Sequence, residues 1–296
     1  MAELYNQISS NKRKTYFLIL GFLAVIAALG YVFGLWIGIS YFGIVLAVFF
    51  GGLYAVLSYF AGSRMVLAVT HARKAEKNEF PHLAHTVEGL AIAAGIPTPE
   101  IYVIEDSAIN AFATGMSPQK ASVTFTTGAI QRLNRTELEG VAAHELSHIK
   151  NFDIRVMLLT AVLVGVVVLL SDVMLRSFFY GGRRDNDSKG ALPIILLGLV
   201  LAILAPIFAE LMKLAVSRKR EFLADASGAL LTRYPKGLAD ALKKIRDDKE
   251  PLVEAANKAT AHLFIENPLR KFKGTVNNLF STHPDINERI KKLDVM

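Results

Sequence analysis

Apolar residues are gathered into four blocks along the chain. Tyr16 to Ile39 and Tyr41 to Gly62 carry no charged side chain, and only a turn at Gly38-Ile39-Ser40 parts them. At 1.5 Å per residue, a helix over the first block is roughly 36 Å long, enough for the ~30 Å core of a bilayer. The pattern predicts an antiparallel hairpin with spans at 16–39 and 41–62. Tyr31, Trp36 and Tyr41 fall near its turn, where interfacial aromatics belong. The first run is too long for a cleaved signal peptide, and a second follows at once. A third block runs from Val156 to about Leu175 with one charge, Asp172, and a fourth from Ala191 to Ala209, ending at Glu210. They predict a second hairpin, spans 156–175 and 191–210, with the polar stretch 176–190 as an exposed loop. Asp172 is expected near an interface, where a charge costs less than at mid-membrane. The competing reading of this pair is a buried hairpin inside a soluble core.

Between and after the blocks the pattern turns polar, in residues 63–154 and 211–296. Together these pieces hold roughly 180 residues, enough for a core of their own. Phe80 to Ala94 reads as a helix, stopped by Gly95-Ile96-Pro97-Thr98-Pro99. Glu100–Ile104, Ala111–Thr114 and Ala121–Thr126 read as short strands. From Thr127 to Ile149 the spacing is helical, with Thr136 and Glu139 as a capping box for the helix that carries the chemistry. The C-terminal piece reads as all-helical, broken at Pro235, Pro251, Pro268 and Pro284.

Composition narrows the classes. The chain has 296 residues, 52% of them apolar, and a mean hydropathy of +0.37, which excludes a disordered chain. It has no cysteine, which excludes disulfides, a cysteine nucleophile and thiolate metal sites. Any metal must be held by His, Asp or Glu. The 33 Lys+Arg against 26 Asp+Glu leave a net charge of +7. Much of that excess flanks the spans: Lys12, Arg13 and Lys14; Arg64, Arg73 and Lys74; Lys150 and Arg155; Lys213, Arg218, Lys219 and Arg220. If every block spans, these all lie on one side, which the positive-inside rule makes cytoplasmic. The 176–190 loop, with Arg176, Arg183, Arg184 and Lys189, is a mild departure. No basic groove with interleaved aromatics is visible, so no nucleic-acid partner is expected. The polar pieces then share one side, as a single domain split by a membrane hairpin. The expected organisation is 1–62 (tail and first hairpin), 63–154 (first part of the cytoplasmic domain), 155–210 (second hairpin) and 211–296 (second part).

The informative motif is His144-Glu145-Leu146-Ser147-His148. Spacing i, i+4 puts both imidazoles on one helical face, as zinc ligands. Glu145 can reach a metal-activated water as general base and carry its proton to the leaving amine. A catalytic zinc takes three protein ligands, which leaves a fourth position for water. The best third candidate is Glu221 in Ser217-Arg218-Lys219-Arg220-Glu221-Phe222-Leu223-Ala224-Asp225, with a salt bridge to Arg218 or Lys219 as the alternative. Asp225, at i+4 from Glu221, is placed to accept the second N–H of a ligand histidine.

These motifs, with Asn110-Ala111-Phe112-Ala113-Thr114-Gly115, Thr282-His283-Pro284 and the four-span layout, resemble the HtpX family of bacterial membrane zinc metalloproteases, relatives of the CAAX prenyl endopeptidases. The resemblance covers nearly the whole chain. It implies His144, His148 and Glu221 as ligands of one Zn2+ per chain and Glu145 as catalytic base. It also implies hydrolysis of misfolded or damaged membrane proteins at the cytoplasmic face of the bacterial inner membrane. Beside it, Asn110, Ala111 and Phe112 become a substrate-binding edge strand, with Asn110 a donor to the substrate carbonyl. His283, before a Pro284 read as the first helical residue, becomes an oxyanion donor. His71, His82, His85 and His262 are read as structural or solvated.

The expected fold is an α-helical membrane protein bearing an α+β zincin-like catalytic domain of the gluzincin, thermolysin-like type, mostly helical with a small sheet. Its partners are polypeptides, membrane proteins above all, and the lipid bilayer. Two other readings compete. An intramembrane protease would want the motif inside an apolar span, but Glu137, Glu139 and Lys150 flank it. A non-catalytic scaffold with a structural zinc would have no need of Glu145. Substrate identity, oligomeric state and the preference among divalent metals are not written in the sequence.

Overall fold

A computed structural model describes residues 39–76, 78–163, 218–248, 260–266 and 284–296, most of 15–31, and scattered positions elsewhere. Helix α1 (Thr15–Ala28) lies antiparallel to α2 (Ser40–Val69). The Phe22 and Tyr54 rings meet at 6.4 Å, Tyr31 meets Tyr41 at 5.9 Å, and Gly51 backs onto Ile26. The two helices pack antiparallel, and α2 runs past the expected end at Gly62, through Arg64 to Val69. Among the described residues it is the one helix long and apolar enough to cross a membrane. Phe42, Val45, Phe49, Phe50, Val56, Leu57 and Phe60 face outward along it.

The chain then enters a small mixed sheet of β1 (Arg73–Lys74), β2 (Glu100–Ile104), β3 (Ala111–Gly115) and β4 (Ala121–Thr126), in the order β1-β2-β4-β3. Strands β2 and β4 are parallel, the outer pairs antiparallel. Strand β1 is too short to show in the sequence pattern. The crossover places β3 at the sheet edge. Helix α3 (Pro81–Ala94) begins on a proline and ends on Gly95 in the left-handed region, φ 68°, as such stops require.

Alternation sends β3 and β4 side chains to two cores. Ala111, Ala113, Val123 and Phe125 join α3 and the helical residues Leu138, Val141, Ala142 and Leu146 in the larger core, while Phe112 joins Val66, Met157, Leu158 and Phe264 in the smaller. The predicted continuous helix 127–149 is two helices, α4 (Thr127–Arg132) and α5 (Arg135–Lys150). The cap between them is Asn134, not Thr136. Its Oδ1 accepts from Glu137 N–H at 3.0 Å, and its own N–H donates to Glu137 Oε2 at 2.7 Å. Lys244 Nζ, 2.7 Å from the same carboxylate oxygen, favours this register over one capped by Glu139.

A helix α6 over 153–163 follows immediately and takes in the start of the third predicted span. Its Ile154 and every position from Val156 to Leu163 are buried. Leu158 and Val162 pack against α2 at Gly62. The rest of that span with Asp172, the 176–190 loop and nearly all of the fourth span lie outside the described residues. Helices α7 (Arg218–Thr232), α8 (Pro235–Asp247) and α9 (Ile286–Leu293) complete the domain around α5. Helix α9 starts at Ile286 on an Asp285 cap, so Pro284 precedes the cap and is not the first helical residue. His283 lies outside the described residues.

Candidate metal centre

Helix α5 is buried almost throughout, which fixes the direction of its His144–His148 face. Helix α7 crosses it closely. A Cβ added at Gly228 would stand 3.0 Å from the backbone nitrogen of His144, tighter than ordinary packing, so any larger residue would push the two helices apart by a few tenths of an ångström. The approach delivers Glu221 and Asp225, from the same side of α7, to the two histidines. The ligand atoms of His144, His148 and Glu221 all lie within 4.8 Å of one another, and all three residues are buried.

The spacing suits one small ion. Tetrahedral ligands at 2.0–2.1 Å from a metal stand about 3.3 Å apart. Here the two Nε2 atoms are 3.2 Å apart, and Glu221 oxygens lie 3.5 Å from His148 Nε2 and 3.8 Å from His144 Nε2. Both rings turn Nε2 inward because each Nδ1 is held from behind. His144 Nδ1 is 2.9 Å from Asp225 Oδ1, and His148 Nδ1 is 3.1 Å from Asp153 Oδ2. With Nδ1–H donating to a carboxylate, the Nε2 lone pair faces the centre. Two imidazoles and one carboxylate, buried and converging, fit zinc or a similar divalent ion.

Behind each carboxylate sits an arginine. Arg289, fully buried, grips Asp225 through Nε–H to Oδ2 at 2.9 Å and Nη2–H to Oδ1 at 2.7 Å. Arg220 reaches Asp153 at 3.5 Å. Burial works against the Asp225 anion, but the Arg289 charge and the hydrogen bonds from His144 and Arg289 outweigh it and hold its carboxyl at about 2. Burial drives His144 below the ordinary histidine value, against the pull of Asp225. Burial acts on His148 in the same sense, but the Asp153 hydrogen bond and the charges of Glu221, Asp153 and Glu145 push it up to about 9, so at neutral pH a metal ion must displace a proton from its Nε2 to be bound there.

The structure brings together five of the residues singled out from sequence, His144, Glu145, His148, Glu221 and Asp225, all buried. The proposed edge-strand residues stand differently. Asn110 is buried, with its Nδ2 donating to the Glu266 carbonyl at 3.2 Å and its Oδ1 accepting from Ala111 N–H at 3.0 Å. Phe112 is wholly buried against Phe264, ring centroids 5.0 Å apart. His262, read as structural or solvated, is buried with Nε2 donating to the Met157 carbonyl at 3.0 Å. Sequence reasoning missed Asp153, Arg220 and Arg289. Arg289 does leave a trace: it lies on the apolar face of an amphipathic helix, between Ile286, Ile290 and Leu293.

Comparison with known proteins identifies the family. The profile of peptidase family M48 matches residues 77–296. A protein named protease HtpX homolog from Dictyoglomus thermophilum is 48% identical over 99% of this chain and 94% of its own length. Another of that name, from Streptococcus gordonii, is 42% identical over 99% of this chain and 100% of its own. The crystal structure of S. mikatae Ste24p shares the fold, with a TM-score of 0.51 at 19% identity, over 99% of this chain and 67% of that one. The fold and site thus define a metal-dependent peptide-bond hydrolase. The chain belongs to peptidase family M48, among its HtpX-type members.

Proposed function

We propose that this chain is a multi-pass membrane zinc endopeptidase that cuts misfolded or damaged membrane proteins at the cytoplasmic face of a bacterial cell membrane. The observation that carries the reading is the spacing of the three donors, 3.2 to 3.8 Å, with a carboxylate behind each histidine. His144, His148 and Glu221 hold the ion. One zinc there supplies the Lewis acidity that makes water nucleophilic near neutral pH. Glu145, next to the first ligand and buried, takes the proton of the attacking water and delivers it to the departing amine. Asp225 and Asp153 keep the two imidazoles in the ligating tautomer. His283 is assigned the oxyanion-donor role. The division into 1–62, 63–154, 155–210 and 211–296 is part of the same proposal.

The outward apolar face of α2 supports lipid contact, since a face of that size is unsuited to water. The two polar pieces fold around one another and share α5 as their centre, which supports their lying on one side of the membrane. A chelator test addresses the chemistry. Purified in detergent, the protein should carry about one zinc, lose cleavage of an unfolded model protein on chelation, and regain it with one equivalent of zinc. Cleavage that survives complete metal removal would contradict the reading. Because the chain lacks cysteine, single cysteines placed at 76 and 186 can report topology. Protection of the first and labelling of the second from outside the cell is the expected pattern.

A further inference from the structure

The outer edge of β3 is already occupied at its start. Ile265 donates its N–H to the Ala111 carbonyl at 2.9 Å, and the Asn110 amide donates to the Glu266 carbonyl at 3.2 Å. The Phe112 and Phe264 rings meet edge-on, 5.0 Å between centroids. Residues 110, 111 and 112 therefore face 266, 265 and 264, an antiparallel register. An extended peptide joins a sheet edge in this way. The groups engaged, the Asn110 amide and the β3 backbone, are the ones assigned to substrate. The segment also touches the metal centre, because Arg289 Nη1, on the guanidinium that grips Asp225, donates to the Ile265 carbonyl at 3.0 Å.

Resting on the protease reading above, we propose that residues 264–266 are a built-in substrate mimic. They hold the substrate position along β3 and yield it only to an extended chain with a large apolar side chain where Phe264 lies. The pairing is half a ladder. Ala111 N–H goes to Asn110 Oδ1 and the Ile265 carbonyl to Arg289, so the reciprocal strand bond is not formed. One backbone bond, the side-chain bonds from Asn110 and Arg289, and side-chain packing together hold the segment. Phe264 and Ile265 are buried in the two cores, and their departure leaves cavities unless the incoming chain refills them. Release is thus an exchange, and the exchange selects. A polar or folded segment cannot refill the Phe264 site beside Phe112, Met157 and Leu158. An unfolded stretch of a membrane protein, rich in Phe and Leu, can.

A reversible cross-link tests this on the full zinc-loaded protein. With no native cysteine to interfere, Ala111→Cys combined with Ile265→Cys places a disulfide between the opposed residues. The oxidised and reduced forms of this one variant are compared for zinc content, for cleavage of an unfolded model protein and for affinity toward a phenylalanine-containing peptide hydroxamate. Equal zinc, with cleavage and hydroxamate affinity at least tenfold lower when cross-linked and recovered on reduction, is the expected result. Equal cleavage or equal affinity in the two forms would overturn the proposal. Should neither this variant nor the native chain cleave anything, the protease reading fails, and the hydroxamate affinities still decide the strap. As a second probe, Phe264→Ser should raise kcat/KM several-fold in protein that keeps its zinc; a fall would count against the mimic.

Discussion

Asp153 lies five residues past His148, and its carboxylate returns to within 3.1 Å of the His148 ring. The return needs an unusual backbone. Helix α5 ends at Lys150, and Phe152 takes φ 59°, a left-handed conformation that a non-glycine residue enters at a cost of about 1–2 kcal/mol. The turn it makes starts α6 at once and aims Asp153 back under the metal face. Strain of this kind persists where the surrounding structure enforces it. Here burial of Asp153, its contact with Arg220 and the packing of α6 do so.

Replacing Asp153 by Ala or Asn should therefore weaken metal binding without removing a ligand. Loss of such a supporting carboxylate costs about 10–100-fold in metal affinity. Competition with a chromophoric chelator measures it. Unchanged affinity in Asp153→Ala would show that His148 is oriented by its helix alone.

Arg289 should be needed for stability even without metal. Arg289→Met leaves the buried Asp225 carboxylate without its charged partner, with only the His144 N–H beside it, at an expected cost of about 3–5 kcal/mol. Arg289→Lys keeps the charge but loses the two-pronged grip, so it should fall between. Denaturant unfolding of the metal-free protein in detergent reads both. A loss below 1 kcal/mol for Arg289→Met would mean that water or another cation reaches Asp225.

Asp248 gives a pH signature separate from the metal. Its side chain is nearly buried, accepts from Ile109 N–H at 2.8 Å and pairs with both terminal nitrogens of Arg132. Burial opposes its ionised form, but these bonds prevail and hold its pKa below the usual aspartate value. A carboxyl lowered on folding stabilises the fold above its unfolded pKa, about 4, and loses that contribution as pH falls through the lower folded value. Asp248→Asn should thus cost about 1.5–3 kcal/mol at pH 7, a gap that closes in acid below about pH 4. A gap that stays constant from pH 7 to pH 2.5 would contradict the assignment. Because Asp248 ties down the residue before Asn110, the same variant should also loosen the start of β3.

Much of this centre was legible in the sequence because its residues sit at helical spacing. His144 and His148, then Glu221 and Asp225, are each i, i+4 pairs, and a helix puts such pairs on one face whatever surrounds it. The strand segments were legible too, since β-rich runs between Pro97-Thr98-Pro99 and Thr127 leave little choice. What escaped depended on contacts across the chain. Asp153 matters only because Phe152 adopts a positive φ, which no local pattern announces. The cap fell to Asn134, because the break at Leu133 and the Lys244 contact with Glu137 set the register. Arg289 draws its meaning from Asp225, 64 residues earlier. Phe264 and Ile265 looked like ordinary apolar residues, and only the sheet order, with β3 at the edge, gives their position significance.

We propose that His144, His148 and Glu221 hold a catalytic metal and that Glu145 moves the proton. The most direct measurement pairs metal content with cleavage of an unfolded model protein for the native chain and Glu145→Gln, both purified in detergent. Each should carry about one zinc, with cleavage by Glu145→Gln lower by at least a hundredfold. Cleavage that persists undiminished in Glu145→Gln, at equal zinc content, would contradict the mechanism.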